Sequence, residues 1–238
     1  MKDVTPKYRR VLLKLSGEAL AAGGKDLIDH EFVAKVAAVL RKCLDAGVQI
    51  GIIVGAGNIW RGRQGKEMDS VRADRMGMLA TTINALALQD TFIQAGLDAK
   101  VMTAVEMDTF ADKYVTRHAV EALEAGKIVI FGCGLGAPYF STDTAAVLRA
   151  AEIGADAVLM AKNIDGVYSA DPKVDPTAVR YDEITYKDVL EKELKALDLT
   201  ATTFCMDNDI KCYAFELKDP MNIYRVTMGE KIGTELHR

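Results

Sequence analysis

Short apolar runs alternate with amphipathic helical patterns along most of this chain, and this alternation limits its fold more than any other feature. An apolar run at 11–15 precedes a helical pattern at 31–46, and a run at 49–54 precedes one at 74–96. Such an order is typical of a mainly parallel sheet with helices on both faces. We therefore predict an α/β fold, a three-layer α/β/α sandwich whose ligands collect at the carboxyl ends of the strands. The pattern continues at 99–102, 117–125, 128–131, 142–154, 157–160 and 211–215.

Composition excludes several functional classes. Half of the 238 residues are apolar, which is enough for a substantial core, and the net charge is −4 with both signs interspersed. We expect neither nucleic acid nor a membrane as a partner, because such surfaces cluster Lys and Arg. The first ten residues are polar and lack a signal-peptide core, so we expect a cytoplasmic protein. The four cysteines form no C-x-x-C pair and the three histidines are scattered, which supports neither a disulfide frame nor a zinc site.

Two of the predicted strands end in loops that suit phosphate. Lys14 lies in the first strand just before a Ser-Gly turn, so an ammonium and backbone N–H groups can meet one anion. The second strand ends in GAGNIWRG (55–62), where glycines let the backbone approach a phosphate and Arg61 can bond two of its oxygens. From position alone, a solvated strand-edge lysine and a salt-bridged surface arginine remain open alternatives.

A third loop, GCGLGA (132–137), matches the G-x-G-x-x-G/A pattern of dinucleotide-binding folds, and Asp156 follows about 20 residues later. We rank this alternative low. Pro138 and the residues after it separate the glycines from a helix that should begin near Thr142. Asp156 also precedes the next strand, whereas a ribose ligand should follow it. What remains is a glycine-rich strand end facing a helix start, which can hold phosphate.

Three anion-binding loops at one sheet edge indicate a polyphosphate opposite a second phosphate, which is the arrangement of phosphoryl transfer. The chain contains neither the G-x-x-x-x-G-K-[ST] motif of P-loop enzymes nor the H-R-D and D-F-G motifs of protein kinases. Another kinase family is needed to explain the pattern.

Six segments, in this order, resemble the amino-acid-kinase superfamily and, within it, the bacterial UMP kinases. The segments are KLSGEAL (14–20), GAGNIWRG (55–62), RADRMGMLATTINALAL (72–88), PYFSTDTAA (138–146), DGVYSADPKVDPTA (165–178) and MGEKIGT (228–234). The resemblance implies a single amino-acid-kinase domain over 1–238, with a UMP lobe of roughly 1–155 and an ATP lobe of roughly 156–238. The loop-like stretch 171–185 is the best candidate for a lobe boundary.

The resemblance implies four catalytic residues. Lys14 would be the cation nearest to the transferred phosphoryl group, Arg61 would bridge both phosphates, and Asp143 would organise a metal or lysine. Asp198 matches a family acid near the nucleotides, although a solvated helix acid fits it nearly as well. The implied ATP contacts are Lys14, Leu15, Ser16, Gly17, Gly57 and Arg61, with Lys162, Asn163, Tyr168 and Asp171 on the adenine and ribose side. For Tyr168, an ordinary core or surface aromatic stays an alternative.

The UMP side of the resemblance centres on Asp74, which would hold the ribose because a carboxylate can accept hydrogen bonds from both hydroxyls. Without the family, a surface acid at a helix start fits Asp74 equally well. The implied UMP contacts are Ala56, Asp74, Leu135, Gly136, Ala137, Pro138, Tyr139, Phe140, Ser141 and Thr142. Most family members have Thr and Asn where this chain has Leu135 and Ala137, so side-chain hydrogen bonds from these two positions are lost while backbone contacts can persist.

The implied reaction is reversible transfer from ATP to UMP, giving ADP and UDP in pyrimidine nucleotide biosynthesis. The acceptor phosphate is already an anion, so no general base is required, and Mg²⁺ would arrive on ATP without direct protein ligands. The resemblance also implies a homohexamer, activation by GTP and inhibition by UTP. The segment linked to GTP corresponds here to Ala22, Gly23, Gly24, Lys25, Asp26 and Leu27. Two alternatives stay open: a sister kinase with another small acceptor, and a nonenzymatic oxyanion-storage protein of the same fold.

Overall fold

The computed structural model describes residues 5–21, 26–60 and 67–238. The strands are β1 (Arg10–Leu15), β2 (Gln49–Val54), β3 (Ala99–Thr103), β4 (Asp112–Lys113), β5 (Ile128–Gly132), β6 (Ala157–Lys162), β7 (Val167–Tyr168), β8 (Arg180–Tyr181), β9 (Glu183–Thr185), β10 (Cys212–Glu216) and β11 (Thr234–His237). The helices are α1 (Gly17–Leu20), α2 (His30–Asp45), α3 (Ser70–Gln94), α4 (Thr116–Glu124), α5 (Thr142–Glu152), α6 (Tyr186–Glu191), α7 (Leu199–Asn208) and α8 (Met221–Thr227).

Nine strands form one sheet in the order β4-β3-β5-β2-β1-β6-β10-β11-β9, while β7 and β8 form a separate antiparallel hairpin. Within the large sheet, β10 and β11 pair antiparallel, and the other pairs of neighbours are parallel. Helices α2, α3 and α8 cover one face, and α4, α5, α6 and α7 cover the other. The predicted three-layer α/β/α sandwich is therefore confirmed.

Two apolar cores lie on opposite faces of the sheet. Along β1, Leu13 and Leu15 face one core and Leu12 faces the other, as the two-residue period of a strand requires. On β2, a Cβ on Gly51 would lie 3.1–3.3 Å from three side chains of the second core, so the packing there already fills the space. Among the described residues, no helix is both long and apolar enough to span a membrane.

Most helices begin where a capping residue allows it. Asp29 accepts a hydrogen bond from the Phe32 N–H at 2.9 Å and starts α2 within one residue of the predicted bound. Helix α3 starts four residues earlier than predicted, because Asp69 accepts from the Arg72 N–H at 3.1 Å and no residue between 70 and 73 breaks a helix. The short elements α6, α7, α8, β11 and the β7–β8 hairpin were not predicted.

The fold excludes the dinucleotide alternative. Helix α5 begins at Thr142, as predicted, so the glycine-rich segment does not open directly into a helix. Asp156 precedes β6, and its Oδ2 accepts hydrogen bonds from the backbone N–H groups of Arg9 at 2.7 Å and Arg10 at 2.8 Å. Asp156 therefore links β1 and β6 at the amino-terminal edge of the sheet, opposite to the edge where ligands of such folds bind.

Candidate active site

Two clefts open at the carboxyl edge of the parallel strands. The smaller, about 620 Å³, we name the Asp74 cleft, and the larger, about 910 Å³, the Lys162 cleft. The Asp74 cleft is lined by Ala56, Trp60, Ala73, Asp74, Gly77, Met78, Thr81, Cys133, Gly134, Leu135, Ala137, Phe140, Ser141 and Thr142. The Lys162 cleft is lined by Lys14, Ser16 and Glu18, by residues 162–173 and 192–196, and by Glu216.

An ion pair lies where the two clefts meet. Lys14, near the end of β1, places its Nζ 3.0 Å from Oδ1 of Asp143 in the first turn of α5. The two side chains are only 13% and 19% exposed, so water screens their attraction less than it would on an open surface. Lys14 lines the Lys162 cleft, and Asp143 directly follows Thr142 of the Asp74 cleft. A charged pair therefore lies between the linings of the two clefts.

Lys162 brings a second cation to this pair. It ends β6, lies beside β1, and its Nζ donates to the carbonyl oxygen of Ala196. Burial lowers the pKa of Lys162, while the negative charge of Asp143 raises it and the positive charge of Lys14 lowers it further. The structure thus brings two lysines and one carboxylate into one electrostatic group, whereas the family resemblance had implied Lys162 only for the adenine and ribose side.

Asp198 has the contacts of a helix cap. Its Oδ1 accepts from the Ala201 N–H at 2.8 Å at the start of α7, and its Oδ2 accepts from the Thr144 hydroxyl at 3.0 Å and from the Ser141 hydroxyl. Ser141 in turn caps α5 by accepting from the N–H groups of Asp143 at 3.0 Å and Thr144 at 3.1 Å. Asp198 therefore ties α7 to the first turn of α5, where Asp143 lies.

The first two predicted loops touch each other. A Cβ added to Gly17 would lie 2.6 Å from the Gly55 carbonyl oxygen, 2.6 Å from Asn58 Oδ1 and 2.7 Å from the Gly57 nitrogen. No side chain fits in that contact, so the position requires glycine. Leu15 is fully buried, so its side chain cannot contact a ligand. Its carbonyl oxygen accepts from the Gly55 N–H at 2.9 Å.

Asp74 connects α3 to the segment that follows the third loop. Its Oδ2 accepts from the Tyr139 N–H at 2.7 Å, and Tyr139 has a positive φ of 70° and is 76% exposed. Gly136, at φ 73°, packs against Ala104, where an added Cβ would meet Ala104 at 3.2 Å. These contacts shape the 133–141 segment so that Leu135, Ala137, Phe140 and Ser141 line the Asp74 cleft beside Ala56.

On the other side, Asn163, Tyr168 and Asp171, which the resemblance assigns to the adenine and ribose side, line the Lys162 cleft. The Tyr168 hydroxyl donates to Asp165 Oδ1 at 2.8 Å, and Asp165 Oδ2 pairs with Arg180 at 3.0 Å. These bonds hold the Tyr168 ring at the cleft wall. The expected contacts of Arg61 and of Ala22, Gly23, Gly24 and Lys25 lie outside the described residues, whereas Asp26 and Leu27 are exposed.

Several lining residues were missed at the level of sequence. Met78 and Thr81 follow Asp74 at helical spacings of four and seven, so their shared face of α3 could have been predicted. Trp60 also lines this cleft and donates from Nε1 to the Ala73 carbonyl oxygen at 3.0 Å. No local pattern marks residues 192–196, which reach the Lys162 cleft only through the packing of the loop after α6.

Comparisons with known proteins agree with this geometry. The model of the amino acid kinase family matches residues 9–215. The crystal structure of UMP kinase from Bacillus anthracis is 35% identical with a TM-score of 0.93, covering 97% of this chain and 96% of that one. UMP kinase from Ureaplasma parvum is also 35% identical, with a TM-score of 0.92 and coverage of 98% and 100%. Uridylate kinase from Archaeoglobus fulgidus is 28% identical, with a TM-score of 0.73 and coverage of 95% and 99%. Since the family match spans most of the sequence and the structural matches span nearly all of it, the chain belongs to the amino acid kinase family.

Proposed function

We propose that this chain is a UMP kinase that transfers the terminal phosphoryl group of ATP to UMP and so produces ADP and UDP for pyrimidine nucleotide synthesis. The observation that carries the proposal is the Lys14–Asp143 pair at the junction of two clefts. The UMP kinases of B. anthracis and U. parvum, which match along nearly the whole chain, support UMP as the acceptor.

UMP occupies the Asp74 cleft and ATP occupies the Lys162 cleft in this proposal. Asp74 accepts hydrogen bonds from the ribose hydroxyls, and the third loop encloses the base. The lining of the two clefts supports the division into a UMP lobe of roughly 1–155 and an ATP lobe of roughly 156–238, because the Asp74 cleft draws only on the first range and the Lys162 cleft mainly on the second.

Catalysis consists of alignment and charge neutralisation. A UMP phosphate oxygen attacks the γ-phosphorus of ATP in line, the bond from that phosphorus to the ADP oxygen breaks, and no proton has to be removed first. Lys14 and Lys162 neutralise charge on the transferred group, together with Arg61. Asp143 holds the Lys14 ammonium in place, and Asp198 acts as a positioning residue through Ser141 and Thr144.

Mg²⁺ fits this site as an ion that enters bound to ATP. The described residues contain no group of three His, Cys, Asp or Glu side chains that could hold a metal ion, and Asp143 is the carboxylate at the junction. Magnesium commonly keeps several waters and binds through one or two carboxylates plus substrate phosphates, a donor set that Asp143 and ATP supply. When bound, the ion would neutralise phosphate charge.

The base of UMP meets an apolar wall at two positions. Leu135 and Ala137 line the Asp74 cleft and carry no polar side-chain atoms, so at these two positions only backbone groups can hydrogen-bond to the uracil edge. Uracil and cytosine differ in the donors and acceptors at that edge, and backbone N–H and carbonyl groups can distinguish them. The preference for UMP over CMP is therefore the property of this chain that depends most on the backbone of the third loop.

The proposal includes a homohexamer in the cytoplasm, with GTP and UTP as regulators. Helix α3 supports self-association because Met76, Leu79, Ile83 and Ile93 are 39–54% exposed along it. Exposed large apolar side chains that recur along one helix are typical of interfaces. Sedimentation should give the mass of a hexamer, and Ile83→Asp should shift it towards smaller species.

The experiment that tests the proposed function measures ADP release by the purified chain with Mg²⁺ and ATP. The acceptors are UMP, CMP, dUMP and AMP, together with a carbamate, a carboxylate and an isoprenoid phosphate. Strong preference for UMP supports the assignment. Activity with a carbamate, carboxylate or isoprenoid phosphate and none with UMP would favour the sister-kinase alternative. If no acceptor gives ADP release, with or without GTP, and an oxyanion copurifies with the protein, the storage-protein alternative is favoured.

A further inference from the structure

Two asparagines form a closed amide pair behind the phosphate-binding loops. Asn84 on α3 is fully buried, and its Nδ2 donates to the Gly55 carbonyl oxygen at 2.8 Å and to Asn58 Oδ1 at 2.8 Å. Asn58 Nδ2 donates to Asn84 Oδ1 at 3.0 Å and to the Leu27 carbonyl oxygen at 2.7 Å. All four amide N–H donors are used. Both carbonyl acceptors require an N–H opposite them, which fixes the orientation of both amides.

This pair determines where the second loop lies. Asn84 binds that loop at Gly55, where β2 ends, and Asn58 lies within the turn that follows. The same turn touches the first loop, because an added Cβ on Gly17 would lie 2.6 Å from both Asn58 Oδ1 and the Gly55 carbonyl oxygen. One buried side chain on α3 therefore fixes the contact surface of both loops.

A buried polar pair at this point has a cost that an apolar pair would avoid. Removing amides from water is unfavourable unless every group finds a partner, and two apolar side chains of similar shape can be nearly neutral for stability. The amide pair differs from an apolar contact because its hydrogen bonds are directional. The hydrogen bond from Asn84 Nδ2 holds the Gly55 carbonyl oxygen at a defined distance and angle, whereas an apolar contact has no preferred direction.

Resting on the proposed function, we propose that Asn84, acting through Asn58, is a positioning residue for phosphoryl transfer that sets the distance between the two phosphate-binding loops. Neither side chain needs to touch a substrate for this role. Because a misplacement of about 1 Å can cost about a hundredfold in rate, loss of the pair should lower kcat by at least about tenfold. The KM for UMP should change far less, since Asp74 lies on the same helix and keeps its own contact with Tyr139.

The test compares Asn84→Leu, the double variant Asn58→Leu with Asn84→Leu, and Gln89→Leu as a matched control. Gln89 lies on the same helix, and its Nε2 donates to the Ala99 carbonyl oxygen at 3.0 Å, so the control also removes one amide bond to a backbone carbonyl, but away from the loops. For each variant, kcat and KM are measured with Mg²⁺, ATP and UMP, and the free energy of unfolding is measured with urea.

The expected result is a kcat loss in Asn84→Leu that persists in the double variant, even where the double variant regains stability. Gln89→Leu should keep kcat. Two results would overturn the inference: kcat within about twofold of the wild type in Asn84→Leu, or recovery of kcat in step with stability in the double variant.

A wild-type protein without kinase activity would overturn the proposed function. A separate measurement then decides whether the Asn58–Asn84 pair positions the second loop. Trp60 is the only tryptophan, and it lies two residues after Asn58. Acrylamide quenching of its fluorescence should differ from the wild type in Asn84→Leu and not in Gln89→Leu. Equal quenching in all three proteins would refute a positioning role for the pair.

Discussion

Substitution of Gly17 by alanine tests the contact between the first two loops. An alanine Cβ would lie 2.6 Å from the Gly55 carbonyl oxygen, and ordinary contact begins at 3.4 Å, so the first loop must retreat by about 0.8 Å. The opposing atoms belong to backbone and to the hydrogen-bonded Asn58 amide, which cannot swing aside as a flexible side chain would. Overpacking of this kind costs about 1–3 kcal/mol of stability. Because alignment tolerates little displacement, kcat should fall by at least about tenfold.

The assay measures kcat at saturating ATP and UMP beside urea unfolding, with Gly126→Ala as the control. Gly126 has φ 80°, an added Cβ there meets nothing within 4 Å, and the residue precedes β5 at the amino-terminal edge of the sheet. The control should lose about 1–2 kcal/mol through backbone strain alone and keep its kcat. Wild-type kcat in Gly17→Ala, or an equal loss of kcat in both variants, would refute the reasoning.

Three other substitutions address single groups of the site. Lys14→Ala should lower kcat by at least about a hundredfold with little change in UMP affinity, because it removes an electrostatic stabiliser; near-normal turnover would contradict the assignment of Lys14. Asp74→Asn should raise the KM for UMP by about tenfold or more and affect dUMP less. Asp69→Asn keeps a capping oxygen at the start of α3 and removes only its charge, so it should leave both KM values unchanged. Lys162→Met should weaken the rise of stability with pH. The pKa of Lys162 is lowered in the folded state, so between that lowered pKa and 10.5 the unfolded chain binds more protons than the folded chain. The free energy of unfolding of the wild type therefore increases as pH rises through this window. Parallel pH profiles for wild type and Lys162→Met would show that this lysine is not the cause.

The sequence predicts the sheet well and the site less completely, for a physical reason. Strands β2 and β5 and helix α5 follow from local apolar periods and from the Ser141 cap, which act over a few residues. The loops proposed to bind phosphate also have a local signal in the sequence, namely Lys14 and the glycines. The approach of residues 192–196 to Lys162 depends on the packing of α6 against α7 and of α7 against α5, which no local pattern encodes.

The residues that place the site differ from those that carry its chemistry. Lys14, Lys162 and Asp143 carry charge, but each lies at a strand end or helix start whose position is set elsewhere. Asp198 and Ser141 fix the start of α5, and the Asn58–Asn84 pair fixes the second loop. Two phosphates repel each other, so holding them in line requires loops that do not shift under this repulsion. Hydrogen bonds supply that rigidity, and those of the Asn58–Asn84 pair do so without adding charge to a site that already holds two lysines and one carboxylate.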